Sequence, residues 1–142
     1  MKAVSTRQRA TGQITAQRWM KLADRDLAVA NQIFATYPDS AAFHFQEAAG
    51  MYLKAFLASH LASLKRSDSI STLVNHCSKI DAEFNSLSKA ADLDLIINFA
   101  TMYQYPNDKE KEVPTNDEVM RARVFCEQAR DLVGYRLYLV EN

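Results

Sequence analysis

The sequence is poor in glycine, proline and cysteine, with three, three and two among its 142 residues. Gly12, Gly50 and Gly134 are too scattered to form a phosphate-cradling loop. With no run of alternating β-branched residues, so few turn formers favour helices over sheets. Cys77 and Cys126 fall in different predicted helices and match no metal or redox spacing, so both read as reduced, buried or half-buried thiols. There is no His-Glu-x-x-His and no nucleophile elbow, and neither a metal nor a cofactor is expected. An excess of one charge is missing as well: 17 Lys and Arg balance 17 Asp and Glu. The whole chain therefore has no field that draws it to nucleic acid or an anionic membrane, and any such binding must be local. No apolar run reaches roughly 18 residues, and Met1 to Gln13 lacks the hydrophobic core of a signal peptide. These absences lead us to expect a cytoplasmic protein.

What the chain does have is helical periodicity. Its length suits one domain that buries roughly 68% of its unfolded surface. The organising stretch runs from Phe43 to Leu57. At about 100° per residue, Phe45, Ala49, Tyr52, Leu53 and Phe56 form a broad apolar face, and Gln46, Glu47, Gly50 and Lys54 gather into a narrow polar stripe. A helix so nearly apolar around its circumference must be covered on most sides, which predicts the centre of a bundle. Gly50 either admits a close neighbour or is a tolerated defect costing about 1 kcal/mol.

Ahead of it, Met1 to Arg18 carries Lys2, Arg7, Arg9 and Arg18 and no acid. Such a segment is either a frayed, solvated tail or an arm that lies along a phosphate backbone. Residues 1–14 are assigned to a flexible basic arm and 15–142 to a single bundle domain. Trp19, Ala23, Leu27, Ala30 and Phe34 predict a first helix from about Thr15 to Ala35, with Trp19 in the core. Tyr37-Pro38-Asp39-Ser40 makes a short turn with Asp39 or Ser40 as cap, so the first two helices are antiparallel neighbours.

The second helix is expected to reach about Leu64. Ser69 or Ser71 caps a short third helix containing Leu73, Val74, His76, Cys77 and Ile80. A fourth passes through Phe84, Leu87, Ala91, Leu95, Phe99 and Met102, with a potential break near Asp92, and stops at Tyr105-Pro106. Asn107 to Pro114 reads as a surface loop, and Thr115 with Glu118 as the capping box of the last helix. There, Val119, Ala122, Cys126, Ala129, Val133, Leu137 and Val140 form one seam, and Phe125, Leu132 and Leu139 a second. Two seams predict two packing partners, the bundle and another subunit. The expected fold is all-α: an antiparallel up-and-down four-helix bundle with an additional short helix, five helices in all.

Four of these segments also carry a resemblance. Phe45-Gln46-Glu47-Ala48-Ala49 followed by Leu53-Lys54-Ala55-Phe56-Leu57 resembles the Gln-Gln-Ala-Ala helix of HEPN domains, named for higher eukaryote and prokaryote nucleotide-binding proteins. Trp19 with Ala23, Asp26-Leu27 and Ala30 is similar to that family's first helix. His76 with Ile80 is similar to its His-Asp-Leu stretch, and Met102-Tyr103-Gln104-Tyr105-Pro106 to its Arg-Tyr-Pro ending. The resemblance implies an antiparallel helical bundle, typically dimeric and often encoded beside a small nucleotidyltransferase. Many members are metal-independent ribonucleases with an Arg-x4-6-His motif, in which histidine handles a proton at the ribose hydroxyl and arginine offsets phosphate charge.

This chain departs from that pattern. No arginine precedes His44, His60 or His76 at the required spacing, Gln104 replaces the arginine before Tyr-Pro, and Gly50 and Met51 stand where the family has glutamate and lysine. The reading is therefore a non-catalytic HEPN-type module in a toxin–antitoxin-like or nucleotide-related setting. Its partners would be a second copy of itself and a nucleotide or nucleotidyltransferase-like protein. Its ligand-binding residues would be Gln46, Lys54, His76, Tyr103, Gln104, Tyr105 and Asp108, with a lysine point charge on a phosphate and aromatic faces for a base. Three alternatives stay open. In the first, the tyrosines would serve only to seal the bundle end, with Lys54 paired to Glu47 or a neighbouring acid. A ribonuclease or toxin would use a rearranged site of His76 with Lys54 or an arginine of the arm. A purely structural bundle would bind nothing beyond its interaction partner.

Overall fold

The computed structural model describes residues 3–64, 69–90, 92–96 and 114–141. Every regular element among them is helical: α1 (Thr6–Ile33), α2 (Pro38–Ser59), α3 (Ile70–Ile80), a 3-10 turn (Ala82–Phe84), α4 (Asn85–Ser88), α5 over 92–96, and α6 (Asn116–Glu141). None of these helices is long and apolar enough to cross a membrane.

α1 begins about nine residues earlier than its apolar periodicity predicts. The cause is local: Ser5 Oγ accepts from the Gln8 amide at 3.1 Å, and Gln8 Oε1 accepts from the Ser5 amide at 2.9 Å. This capping box satisfies two otherwise orphaned donors before any apolar stripe is needed. Residues 6–14, read from sequence as part of an arm, are the first turns of α1. The buried face of α1 is made mostly of small residues, Gly12, Ala16, Ala23 and Ala30 with Leu27, which lets α2 approach closely.

α2 lies at the middle, as its composition requires. Twelve of its 22 residues are buried, and it packs on α1, α3 and α6. Its pairing with α1 runs in opposite order along the two helices: Gly12 by Ala58, Trp19 by Lys54, Asp24 by Tyr52, Phe34 by Phe45. The start of α2 corrects the sequence reading, because Tyr37 is the N-cap without a side-chain cap and Pro38 occupies the first turn, where its missing N–H costs nothing. The end is corrected too: α2 stops at Ser59 instead of Leu64. Leu61 turns left-handed, with φ 58°. The Leu61 amide donates to Ala58 O and the Ala62 amide to Leu57 O, both at 3.0 Å, a Schellman closure with leucine in the glycine position.

Ser69 caps α3 by accepting from the Thr72 amide at 3.2 Å. Beyond α3 the fourth helix is interrupted close to the expected break near Asp92, with the 3-10 turn and α4 ending at Ser88 and α5 beginning at 92. Asp81 accepts from the Glu83 amide at 3.0 Å, and Ser86 and Ser88 donate to the carbonyls of Glu83 and Asn85. These side chains compete locally with the helical ladder. Phe84, Leu87, Leu93 and Ile96 still reach the core. Ala91, Phe99, Met102 and, of the stretch Asn107 to Pro114 expected as a loop, all but Pro114 lie outside the described residues.

The Thr115–Glu118 box opens α6 as read from sequence, with both bonds at 3.2 Å. Val119, Ala122, Cys126, Ala129, Val133 and Leu137 are buried as one seam. The second seam holds only in part: Phe125 is buried, Leu132 half-buried and Leu139 exposed. Met120, Val124, Tyr135 and Tyr138 face outward instead. Arg136 ties α6 to the turn after α3, with Nε 2.6 Å from Asp81 and an Nη 2.8 Å from Glu83.

Candidate functional site

The polar stripe of α2 supplies the residues that sequence puts in a ligand site. At about 100° per residue Gln46, Gly50 and Lys54 fall within an arc of about 80°, on the side of α2 where α3 packs. There a methyl on Gly50 would sit 3.4 Å from Ile70 Cδ1 and 3.9 Å from Leu73 Cδ1, and Cys77 Sγ lies 3.7 Å from Leu53 O. Both methyl contacts are at ordinary van der Waals distances to side-chain ends, so of the two readings Gly50 fits the tolerated defect. Gln46, Lys54 and His76 are each half-buried.

Among the described residues Lys54 makes no ion pair with Glu47 or another acid. Its Nζ lies 5.2 Å from the centre of the Trp19 ring on α1, so the ammonium rests on an aromatic face instead of pairing with Glu47. Trp19 is correspondingly half-buried at the edge of the core. Among the described residues no hydrogen bond or ion pair joins Lys54, Gln46 and His76 to one another. Tyr103, Gln104, Tyr105 and Asp108 lie outside the described residues.

A second polar group was not anticipated from sequence. Where α1, α2 and α6 meet, Tyr52 donates to Asp24 Oδ1 at 2.5 Å and His44 Nδ1 lies 3.2 Å from Asp26 Oδ1. On α6, Arg123 Nε is 2.9 Å from Glu127, and Arg130 Nε is 2.9 Å from Asp131 with an Nη 3.9 Å from Glu127. Burial raises the Tyr52 phenol well above the usual range, and Asp24 adds to that. Burial also pushes the Cys126 thiol up to about 12 against the opposing pull of Arg130. Cys77 is pushed up to about 12 by burial alone. Neither thiol ionises near neutral pH, so neither is a nucleophile. The available signal was Asp24 and Asp26 flanking the buried face of α1, a placement that calls for partners on the neighbouring helices.

A third feature surrounds Leu61, where the first turns of α1 lie beside the end of α2. A groove of about 560 Å³ is lined by Arg9, Gln13, Ser59, His60 and Leu61 among others. Gln13 Oε1 is buried without a hydrogen-bond partner. His60 stacks on Phe56 with ring centres 4.6 Å apart, and burial lowers its pKa against the raising effect of Asp81. Among the described residues no group of His, Cys, Asp and Glu has the arrangement of a metal centre.

Chemically, the α1–α2–α6 group satisfies its own polar groups: each acid named has a donor, and each arginine an acid. The α2 stripe offers a half-buried cation with amide and imidazole groups on adjoining helices, which suits binding an anion more than moving a proton. No curated protein and no solved structure matches the chain significantly. The model of the HEPN domain family matches residues 16–135. That match takes in α1 from Ala16 through most of α6, and with it the helix of Gln46 and Lys54. The chain therefore belongs to the HEPN domain family.

Proposed function

We propose that the chain is a non-catalytic HEPN-type module, a helical dimer that binds a nucleotide or a nucleotidyltransferase-like partner protein. It would act in the cytoplasm, in a toxin–antitoxin-like or nucleotide-related setting, on a bundle of four antiparallel helices with a short extra one. The observation that carries this reading is the fate of its histidines within a family rich in Arg-x4-6-His ribonucleases. None has an arginine at that spacing; His44 is engaged by Asp26 and His60 by Phe56. A ligand site on α2 is supported by Lys54, half-buried over Trp19, with Gln46 on the same arc and His76 on the helix packed beside it. The outward face of α6, with Tyr135 and Tyr138 about three-fifths exposed, supports a helical partner.

The test combines ligand and activity assays. A nucleotide bound through Lys54 raises the melting temperature, and a ligand at 100 times its dissociation constant adds about 2.7 kcal/mol. The shift should disappear in Lys54→Gln. Metal-free cleavage of generic RNA by the wild type, abolished in His76→Ala, would contradict the non-catalytic reading and favour a rearranged ribonuclease. Absence of any nucleotide-dependent shift would leave the partner protein as the ligand. Sedimentation of the wild type as a monomer would remove the dimer.

A further inference from the structure

Net charge is zero over the whole chain, yet the distribution along α1 is one-sided. Its first acid is Asp24. Arg7, Arg18, Lys21 and Arg25 recur at intervals of eleven, three and four, and at about 100° per residue they fall within an arc of about 60°. That arc lies opposite Ala16, Ala23 and Leu27, the buried face. All four cations are exposed, and among the described residues none makes an ion pair. The two acids of α1 lie off the stripe and are engaged with α2, Asp24 by Tyr52 and Asp26 by His44. The outer side of α1 is thus a straight basic rail about 27 Å long, at 1.5 Å per residue, with no acid on it.

We infer that this rail docks the phosphate backbone of double-stranded nucleic acid without reading base or sugar. Four cations on a rigid helix match a polymer carrying one negative charge per roughly 1.7 Å, and three of the four are arginines, whose planar fork suits phosphate oxygens. The rail carries no aromatic ring on which an unpaired base would stack. Its one hydroxyl, Thr11 Oγ1, donates back to Arg7 O at 3.0 Å, and the four cations are donors on long side chains that reach the phosphate oxygens common to DNA and RNA. The exposed apolar residues Ile14, within the arc, and Leu22, about 40° from its edge, are isolated side chains two turns apart and do not form a continuous face for a lipid surface.

The test is fluorescence anisotropy of the full chain with mixed-sequence 20-base-pair DNA and RNA duplexes. Both should bind at 50 mM salt with affinities within about threefold of each other. Raising salt to 200 mM should weaken binding about 100-fold, the loss for four neutralised phosphates. Arg18→Glu/Arg25→Glu should lose at least about tenfold, while Arg121→Glu on the exposed side of α6 changes binding less than about twofold. All are surface substitutions, and unchanged melting curves verify the fold. The inference is overturned by no binding at 50 mM salt, by equal losses in the α1 and α6 variants, or by RNA preferred over DNA more than tenfold. Single strands or phosphatidylserine vesicles binding more tightly than duplex also overturn it.

Discussion

Tyr52 has no accessible surface, and its hydroxyl reaches Asp24, an exposed carboxylate on α1. The two partners are therefore unequal. Tyr52→Phe removes the bond and lets Asp24 turn to water, a loss of about 1 kcal/mol. Asp24→Ala strands a buried phenol and costs more, about 1–3 kcal/mol. Chemical denaturation of the two single variants and the double tests this, and the double should resemble Tyr52→Phe alone. The glycines divide in the same residue-by-residue way. A methyl at Gly134 meets only Met20 Cε at 3.9 Å, whereas at Gly12 it would lie 2.8 Å from Leu61 Cδ2 and 3.0 Å from the Ala58 carbonyl. Gly134→Ala should stabilise by roughly 0.5–1 kcal/mol through helix propensity. Gly12→Ala should destabilise, with Leu61→Ala restoring only part, because a backbone oxygen cannot step aside. Sequence inspection finds these glycines but cannot rank them, since only packing distinguishes an open site from a closed one. Lys54 is a similar case: its stripe on α2 is visible in the helical projection, but its seat on Trp19 depends on the register between two helices.

At the scale of elements, the interiors of the helices were legible and the ends less so. The apolar repeats of α1, α2 and α6 place Ala23, Phe45, Tyr52, Phe56, Cys126 and Val133 in the core as observed, because burial enforces period. Ends answer to shorter-range chemistry. The Thr115–Glu118 box is legible because an apolar period follows it, whereas the Ser5–Gln8 box is followed by a basic, polar run with no such period. Ser5→Ala should cost about 1 kcal/mol and fray the first turns of α1, seen as faster amide exchange in residues 6–11 with α6 unaffected. Leu61 could not be foreseen, since leucine in left-handed backbone costs roughly 1–2 kcal/mol. Its side chain against Gly12 offsets that cost.

The molecule as a whole responds to pH through groups that its core keeps uncharged. The buried thiols of Cys77 and Cys126 are pushed from 9.0 up to about 12, and Tyr52 is raised as well. A raised pKa means that the folded state holds protons the unfolded chain releases, so this stability is complete below pH 9 and drains away as pH climbs toward 12. Melting temperatures measured from pH 8 to 11 should fall steeply, and less steeply in Cys77→Ala/Cys126→Ala. His60 has the opposite sign. Its pKa is lowered by burial, so its contribution is present above pH 6.5 and fades on acidification, and His60→Gln should flatten the acid limb.

The α1–α2 hairpin occupies the first part of the chain and is joined by a turn of only a few residues. Nearly all of its mutual contacts are available once Leu61 has left the ribosome, long before the segment of α6 exists. The nascent protein should therefore meet the cell with a preformed two-helix platform whose open flank waits for the last helix to arrive. A pulse of deuterium early in refolding should find residues 16–58 protected ahead of residues 119–137; simultaneous protection would mean that the platform needs α6 to exist at all.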